Sequence, residues 1–163
     1  MEGDARGEEA GDSGNPTCDR GRRAGMSDQA SVAEDAVQDL IARDKSREHL
    51  GFVVESARDG RAVVTLAVTE DMANGLGIAQ GGYAFAIADT ALAMAANSVS
   101  YGTATTEASI TFLSPAHMGD VLTAEATVVL HVGRRTVVDV VVRAGERIVA
   151  LVRGQGRQLR PSE

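Results

Sequence analysis

The stretch NGLGIAQGGYAFAIADTALAMAANS, residues 74–98, decides how the rest of the chain folds. It begins as a glycine-rich loop, residues 74–82, and continues as an apolar run that ends at about Ser98. The most apolar part, residues 83–96, is much shorter than the roughly 20 residues that a helix needs to cross a bilayer. We therefore predict that this run is the buried central helix of a soluble protein.

Strand-like runs lie on both sides of this segment. Two precede it, Phe52–Glu55 and Arg61–Val68, and the hairpin signal Arg58-Asp59-Gly60 separates them. Four follow it without a further helix, and each is bounded by turn residues. The four runs are Ala104–Leu113, Leu122–His131, Thr136–Arg143 and Arg147–Gln155, and the turns are Ser114-Pro115, Gly119-Asp120, Gly133-Arg134 and Gly145-Glu146.

This order of elements predicts an α+β fold. Consecutive strands joined by short turns are largely antiparallel, because parallel neighbours need long crossover connections. One antiparallel sheet and one apolar helix pack most simply if the sheet wraps around the helix. We therefore expect a single core built by the sheet and the central helix.

The N-terminal part divides into a polar tail and a helix. Residues 1–27 bury almost nothing and are predicted to be a disordered tail, with Met26 as an alternative start. A helix is predicted from Ser31, because Ser31 and Glu34 form a capping box and apolar residues then recur at helical spacing. We expect this helix to fade between Arg43 and His49, and residues 28–160 to form one domain.

Composition and charge exclude several classes of protein. The net charge is -7 and no run of Lys and Arg exceeds two residues, which argues against nucleic-acid and membrane-surface partners. The single cysteine, Cys18, cannot form an intrachain disulfide, and no secretion signal opens the chain, so a cytoplasmic location is expected. The three histidines lack metal-ligand spacing, so no metal site is predicted.

Several short motifs occur together: Asn74-Gly75, Gln80-Gly81-Gly82, Ile87-Ala88-Asp89-Thr90, Ile110-Thr111-Phe112-Leu113-Ser114-Pro115, Gly119-Asp120 and Gly133-Arg134. The combination resembles the hotdog-fold thioesterases, in particular the phenylacetic-acid-degradation (PaaI-like) branch of acyl-CoA thioesterases, over roughly residues 50–159. The resemblance implies a hotdog fold, in which an antiparallel sheet wraps around a long central helix. It also implies hydrolysis of an acyl-CoA, of aryl or phenylacetyl type, by a homodimer that pairs into a homotetramer. The CoA thioester is the substrate, and no cofactor is needed.

Asp89 is the first candidate for chemistry, because it is the only charged residue in an otherwise apolar helix. Burying an unpaired carboxylate is costly, so a carboxylate in such a place is a functional candidate. The alternative is a structural Asp that bonds to a backbone donor or to a neighbouring chain. By resemblance, Asp89 is the nucleophile or the general base for a water molecule.

Gly81 and Gly82 are the second candidate, because they stand where the central helix begins. The first amides of a helix have no intrahelical partner, and the helix dipole adds positive potential there. Glycine also allows a ligand to approach closely, so this end can stabilise an oxyanion; the alternative is a tight turn only. Asp89 lies about 11 Å further along the helix. By resemblance, the glycines of one subunit therefore face the Asp of another.

Gln80 is the main departure from the family, whose members usually have His at this position. The amide of Gln donates a hydrogen bond but cannot transfer a proton. A non-catalytic acyl-CoA-binding hotdog protein is therefore the second hypothesis. By resemblance, Asn74 also belongs to the site.

The remaining candidates also rest on the resemblance. Thr105 and Thr106 begin a strand and can orient the carboxylate or its water, although β-propensity alone also explains them. Arg134 and Arg135 lie at a turn and suit the CoA phosphates, or are simply a solvated turn. Three residues of the central helix either line the acyl pocket or belong to the core: Tyr83, Phe85 and Met94.

Overall fold

The computed structural model describes residues 35–160. The expected polar tail (residues 1–27), the alternative start Met26 and the capping box of Ser31 and Glu34 lie outside the described residues. Three α-helices and one 3-10 helix are present in the described part: α1 (residues 35–43), α2 (Lys45–Leu50), the 3-10 helix (Glu70–Met72) and α3 (Gly81–Asn97). Six strands are present there: β1 (Val53–Arg58), β2 (Arg61–Ala67), β3 (Thr103–Phe112), β4 (Val121–Val132), β5 (Arg135–Ala144) and β6 (Arg147–Gln158).

The six strands form one antiparallel sheet in the order β1-β2-β4-β5-β6-β3. Helix α3 contacts every strand, so the sheet wraps around it as expected. The side chains of α3 that face the sheet are fully buried, among them Ile87, Ala88, Ala91, Leu92 and Ala95. The predicted α+β architecture with a central helix is confirmed.

Strand β3 lies at the edge of the sheet and pairs with β6, although β4 follows it in the chain. The connection, residues 113–120, therefore passes from the β3 edge of the sheet to the β4 strand near the opposite edge. It ends beside β2, where Val68 N donates to Asp120 O at 2.8 Å. This connection also forms one wall of the cavity described below.

The hairpin between β1 and β2 has the predicted two-residue turn. Asp59 and Gly60 have φ angles of 51° and 73°, which are the positive values that an Asp-Gly hairpin turn requires. Strand β1 is longer than the predicted run Phe52–Glu55, because its pairing with β2 continues to Arg58 next to the turn.

The first helix ends at Arg43, at the start of the range in which we expected it to fade, but a second helix, α2, begins at Lys45 and was not predicted. Asp44 interrupts the helical backbone, and its carboxylate accepts a hydrogen bond from Arg47 N at 3.0 Å, which caps α2. Gly51 ends α2 in the left-handed region, with φ at 76°. Both signals are local, but residues 43–49 are all polar or charged, so no apolar periodicity indicates a helix there.

Two glycines of β6 allow α3 and its neighbours to pack closely on the sheet. A Cβ atom at Gly154 would overlap with Leu92 Cδ1 of α3. A Cβ atom at Gly156 would lie 2.5 Å from Thr103 Cγ2 and 2.7 Å from Thr136 Oγ1. In the described part of the chain, no helix is long and apolar enough to span a membrane.

Candidate active site

The N-terminal end of α3 has two amides without partners. Gln80 is the N-cap residue, and its side chain makes no capping hydrogen bond. Among the described residues, neither Gly81 N nor Gly82 N donates a hydrogen bond, whereas Tyr83 N donates to Gln80 O at 3.0 Å. Two donors at the positive end of the helix dipole are therefore available to an acceptor.

A largely apolar cavity of about 410 Å³ opens at this end of α3. Its wall consists of the glycine-rich loop, the first turn of α3 and the connection after β3. The ring of Phe112 lies against the helix start, because a Cβ atom at Gly81 would lie only 2.9 Å from Phe112 Cζ. No comparable atom lies within 4 Å of a Cβ atom at Gly82. Gly81 therefore makes room for the aromatic ring, and Gly82 faces open space.

Backbone hydrogen bonds hold the glycine-rich loop in place. Asn74 N donates to Ile78 O at 2.7 Å, and the side-chain oxygen of Asn74 accepts from Leu76 N at 2.8 Å. Gln80 N donates to Met72 O at 2.8 Å. The predicted site residue Asn74 therefore lines the cavity and also fixes the loop before Gln80.

The connection after β3 is fixed by an ion pair. Arg147 donates to Asp120 Oδ2 at 2.6 Å and also to Pro115 O. His117 N donates to the same carboxylate at 2.9 Å. The pKa of Asp120 lies below its ordinary value. The hydrogen bond from the His117 amide is the larger cause and the Arg147 guanidinium the smaller, while partial desolvation acts in the opposite direction. We call these residues, Asp120 and Arg147 with His117, the Asp120–Arg147 clamp.

The clamp connects indirectly to the helix start. The connection that it fixes includes Ala116, whose carbonyl oxygen accepts a hydrogen bond from Ala79 N at 2.9 Å. Ala79 comes two residues before Gly81. The two loops that form the cavity wall are therefore joined to each other beside the free amides.

Asp89 lies on the side of α3 that the sheet does not cover, and it is half-buried. The expectation that its carboxylate is buried is wrong for the single chain, because the buried face of α3 lies around Ile87, Ala88 and Ala91. Among the described residues, the carboxylate of Asp89 has no hydrogen-bond or ion-pair partner. Its neighbours on the uncovered face are also exposed or half-buried: Gly82, Phe85, Ala86, Thr90 and Ala93.

One chain does not bring Asp89 and the free amides together. Seven or eight residues separate them, which is about 11 Å along the helix axis. Asp89 does not line the cavity at the helix start. A single small group such as a carbonyl can contact both only if two copies of the chain face each other.

The two predicted threonines lie on the edge strand β3. The pairing changes from Thr105 opposite Gly156 to Glu107 opposite Gln155, so Thr106 is the extra residue of a β-bulge. The hydroxyl of Thr106 donates to Gln155 O at 3.2 Å. Neither Thr105 nor Thr106 lines the cavity at Gly81.

The two predicted arginines differ in their environment. The guanidinium of Arg134 donates to Gln158 O through Nε at 3.0 Å and also through a second nitrogen, which ties the β4–β5 turn to the end of β6. Arg135 is exposed at the start of β5. Neither residue lines the cavity at the helix start.

The aromatic and sulfur-containing residues of α3 are divided between the core and the surface. Met94 is buried in the core, whereas Tyr83 and Phe85 are half-buried. Sequence reasoning did not identify Phe112, Leu113 or Val149 as cavity residues. The apolar end of the strand Ala104–Leu113 was the available signal for the first two. Within residues 35–160, no group of three or more His, Cys, Asp and Glu side chains is placed to hold a metal ion.

Comparisons with known proteins agree on one family. Residues 76–150 match the model of the Thioesterase superfamily. Over 122 residues the chain is 40% identical to the acyl-coenzyme A thioesterase PaaI of Escherichia coli (strain K12), which covers 74% of this chain and 86% of PaaI.

Solved structures are similar over most of the described residues. The E. coli PaaI protein from the phenylacetic acid degradation operon superposes with a TM-score of 0.76 at 33% identity, over 80% of this chain and 96% of PaaI. A hypothetical thioesterase from Streptococcus pneumoniae TIGR4, solved with coenzyme A, superposes with a TM-score of 0.62 at 30% identity. That match covers 66% of this chain and 85% of the streptococcal protein.

Proposed function

The chain belongs to the thioesterase superfamily and has the hotdog fold of its PaaI-like members, and on this premise we propose that it hydrolyses acyl-CoA thioesters to a free acid and CoA. The observation that supports this most strongly is the uncapped start of α3. Two amides without partners stand there beside an apolar cavity of about 410 Å³. Preorganised amides of this kind stabilise the negative charge that develops on a thioester carbonyl oxygen.

In the proposed reaction, the carbonyl oxygen accepts hydrogen bonds from Gly81 N and Gly82 N. Asp89 of a second copy removes a proton from water while the water oxygen attacks the carbonyl carbon, or Asp89 attacks that carbon itself. The carbon–sulfur bond then breaks. In the general-base route, the protonated carboxyl of Asp89 returns the proton to the CoA thiolate, so acid and thiol are released. In the nucleophilic route, loss of the thiolate leaves a mixed anhydride on Asp89; water hydrolyses this anhydride to the free acid, and the thiolate takes a proton from water.

The proposal includes a homodimer as the smallest active unit and a pairing of dimers into a tetramer. The uncovered face of α3, with Asp89 on it, supports this assembly, and so does the unpaired edge of β3. The separation of about 11 Å between Asp89 and the glycines of one chain requires a second copy for a complete site.

Gln80 has an orienting role in this proposal. Its side chain is exposed at the cavity and makes no capping bond, so its amide is available to the thioester. An amide cannot protonate a leaving thiolate. This substitution favours the second candidate, a protein that binds acyl-CoA without cleaving it.

We propose an aryl or phenylacetyl group as the acyl part, supported by the E. coli relative and by Phe112 in the cavity wall. Arg135, which is exposed, is the better candidate of the two arginines for a CoA phosphate. Thr105 and Thr106 remain candidates for orienting Asp89 of a neighbouring copy.

One assay tests the proposed reaction: release of free thiol from a panel of acyl-CoA and aryl-CoA esters by the full chain. Asp89→Asn is expected to lower kcat by about 10²–10⁴, the usual contribution of a general base. Asp59→Asn is the matched control, because Asn-Gly forms the same hairpin turn. Tight binding of acyl-CoA without thiol release would support the second candidate. Unchanged turnover in Asp89→Asn would exclude Asp89 from the chemistry.

A further inference from the structure

We propose that the acyl group of the substrate occupies a second apolar cavity, located beside the C-terminal half of α3. This cavity has a volume of about 420 Å³. Its wall combines α1, α3, the start of β3 and the residues after β6, and includes Leu40, Ala93, Met94, Thr103 and Leu159. This inference rests on the proposed function, and it assigns the selection of the acyl group to this second cavity.

The position of this cavity relative to Asp89 is the first argument. Ala93 follows Asp89 by four residues, so both lie on the same face of α3, about 6 Å apart along its axis. The cavity at Gly81 lies in the opposite direction along the helix. A thioester has two arms, the acyl group and the CoA group. If its carbonyl carbon lies at Asp89, one of these arms can reach the second cavity.

The polar atoms of the second cavity are the next argument, because they are already used. Asn97 donates through Nδ2 to Ala93 O and Thr103 O, both at 2.8 Å. Its Oδ1 accepts from Gly102 N at 2.8 Å and from Thr103 N at 3.0 Å. The hydroxyl of Thr103 donates to Ser100 O. The two charged lining residues also have partners, because Arg43 donates to Asp39 and the Asp44 carboxylate accepts from Arg47 N. The full hydrogen-bonding capacity of the Asn97 amide is thus occupied.

This difference assigns the two arms of the thioester. The pantetheine arm of CoA contains amides, and burying an amide without a hydrogen-bond partner is costly. The first cavity is lined by the side-chain amides of Asn74 and Gln80, whereas the second exposes mainly apolar surface, such as that of Leu40 and Met94. The apolar acyl arm therefore fits the second cavity, and the CoA arm fits the first cavity, contributed by the partner copy.

The volume of the second cavity also agrees with this assignment. Ligand sites typically measure about 300–1,000 Å³ and are lined mainly by apolar side chains. A cavity of about 420 Å³ accommodates an aryl group or a medium-length acyl chain but is far larger than an acetyl group requires. The cavity therefore favours larger acyl groups over acetyl.

Two substitutions with opposite effects on the cavity test the inference. Ala93→Leu fills the cavity from α3, and Leu40→Ala enlarges it from α1. The measurement is kcat/KM by thiol release from acetyl-CoA, phenylacetyl-CoA and decanoyl-CoA. Ala93→Leu is expected to lower the ratio of decanoyl-CoA or phenylacetyl-CoA to acetyl-CoA by about tenfold to a hundredfold, since small volume changes in apolar pockets have effects of this size. Leu40→Ala is expected to raise the decanoyl-CoA ratio.

The control is Ala67→Leu, which adds the same volume at an exposed position of β2 that lines neither cavity. Its acyl-chain ratios should remain those of the unaltered protein, and size-exclusion chromatography should show the same assembly for all variants. Ratios that do not change in Ala93→Leu and Leu40→Ala, while thiol release persists, would overturn the cavity assignment alone. The absence of thiol release from every ester by the unaltered protein would overturn the proposed function, and the assignment with it.

Discussion

The N-terminal end of α3 leaves the amides of Gly81 and Gly82 without partners, whereas at the C-terminal end Asn97 and Ser98 satisfy the surrounding backbone with their side chains. The Asn97 amide is buried and makes four hydrogen bonds. The hydroxyl of Ser98 donates to Ala95 O at 2.8 Å and accepts from Gly60 N at 2.8 Å. The two ends lie about 25 Å apart along the helix.

This contrast indicates that the two ends of α3 serve different purposes, one ligand binding and the other stability of the fold. A helix end that is saturated with hydrogen bonds stabilises the fold, and an end with free donors and an adjacent cavity can bind a polar group of a ligand. Removing a free donor at the N-terminal end should therefore affect activity more than stability, and removing a hydrogen bond at the C-terminal end should do the reverse.

The largest expected effect comes from removing one free amide. Gly82→Pro eliminates the Gly82 N–H, while proline is tolerated in the first turn of a helix. We expect kcat to fall by about 10²–10³, the usual loss for one oxyanion donor. Gly82→Ala keeps the N–H and meets no atom within 4 Å, so it should retain much more activity. Thiol-release kinetics and the melting temperature of both variants test this, and equal activities would contradict a donor role for Gly82.

The next largest effect is expected at the other end. Asn97→Leu leaves the N–H and C=O of the buried Thr103 and the N–H of Gly102 without their side-chain partner, which should destabilise the fold by about 2–4 kcal/mol. Ser98→Ala removes two hydrogen bonds at a half-buried position and should cost about 1 kcal/mol. Urea unfolding provides both values. A large loss of kcat in Ser98→Ala, which lines neither cavity, would break the proposed separation of the two ends.

A smaller and pH-dependent effect is expected in the Asp120–Arg147 clamp near the N-terminal end. The pKa of Asp120 is lowered in the folded protein, so its carboxylate stabilises the fold above the unfolded pKa, and this contribution is lost as the pH falls through the folded value. Asp120→Asn should therefore cost about 1–2 kcal/mol at pH 7 and progressively less below about pH 4. Urea unfolding at pH 7 and pH 3 tests this, and a difference that does not change with pH would contradict it.

The smallest effect is expected for an ion pair that belongs to neither end. Asp139 accepts two hydrogen bonds of 2.6 Å from Arg153, which lower its pKa in the same direction. Both side chains are largely exposed, so Asp139→Asn should change the free energy of unfolding by less than about 1 kcal/mol. The same urea titrations measure it. If Asp139→Asn lowered the free energy of unfolding as much as Asp120→Asn does, the greater burial of Asp120 would not explain a difference in the strength of the two ion pairs.

Local patterns in the sequence predicted the elements but not all their neighbours. Alternation and turn residues located all six strands, and the Asp59-Gly60 signal gave the correct hairpin, because these signals act over a few residues. The pairing of β3 with β6 could not be predicted, because it depends on which edge closes around α3. Helix α2 was missed because residues 43–49 are all polar or charged and show no apolar periodicity.

The site was predictable only in part for a similar reason. The pair Gly81-Gly82 and the charge of Asp89 stand out in the sequence, so both were identified as candidates. An apolar helix has no polar stripe to indicate its outer face, so the half-buried position of Asp89 required the structure. The contact of Phe112 with Gly81 joins residues distant in the chain and has no local signal.

The close fit of Gly154 beneath Leu92 constrains how this protein can change over generations. A methyl group at position 154 would overlap with the leucine side chain and would lie 3.0 Å from the backbone oxygen of Glu107, so a larger residue there requires both the side chain and the neighbouring strand to shift. Position 154 should therefore remain glycine while the sheet keeps this close approach. Ala93, one residue away on the uncovered face, has no such partner in the sheet, so the range of accepted acyl groups can diversify while the helix stays in place.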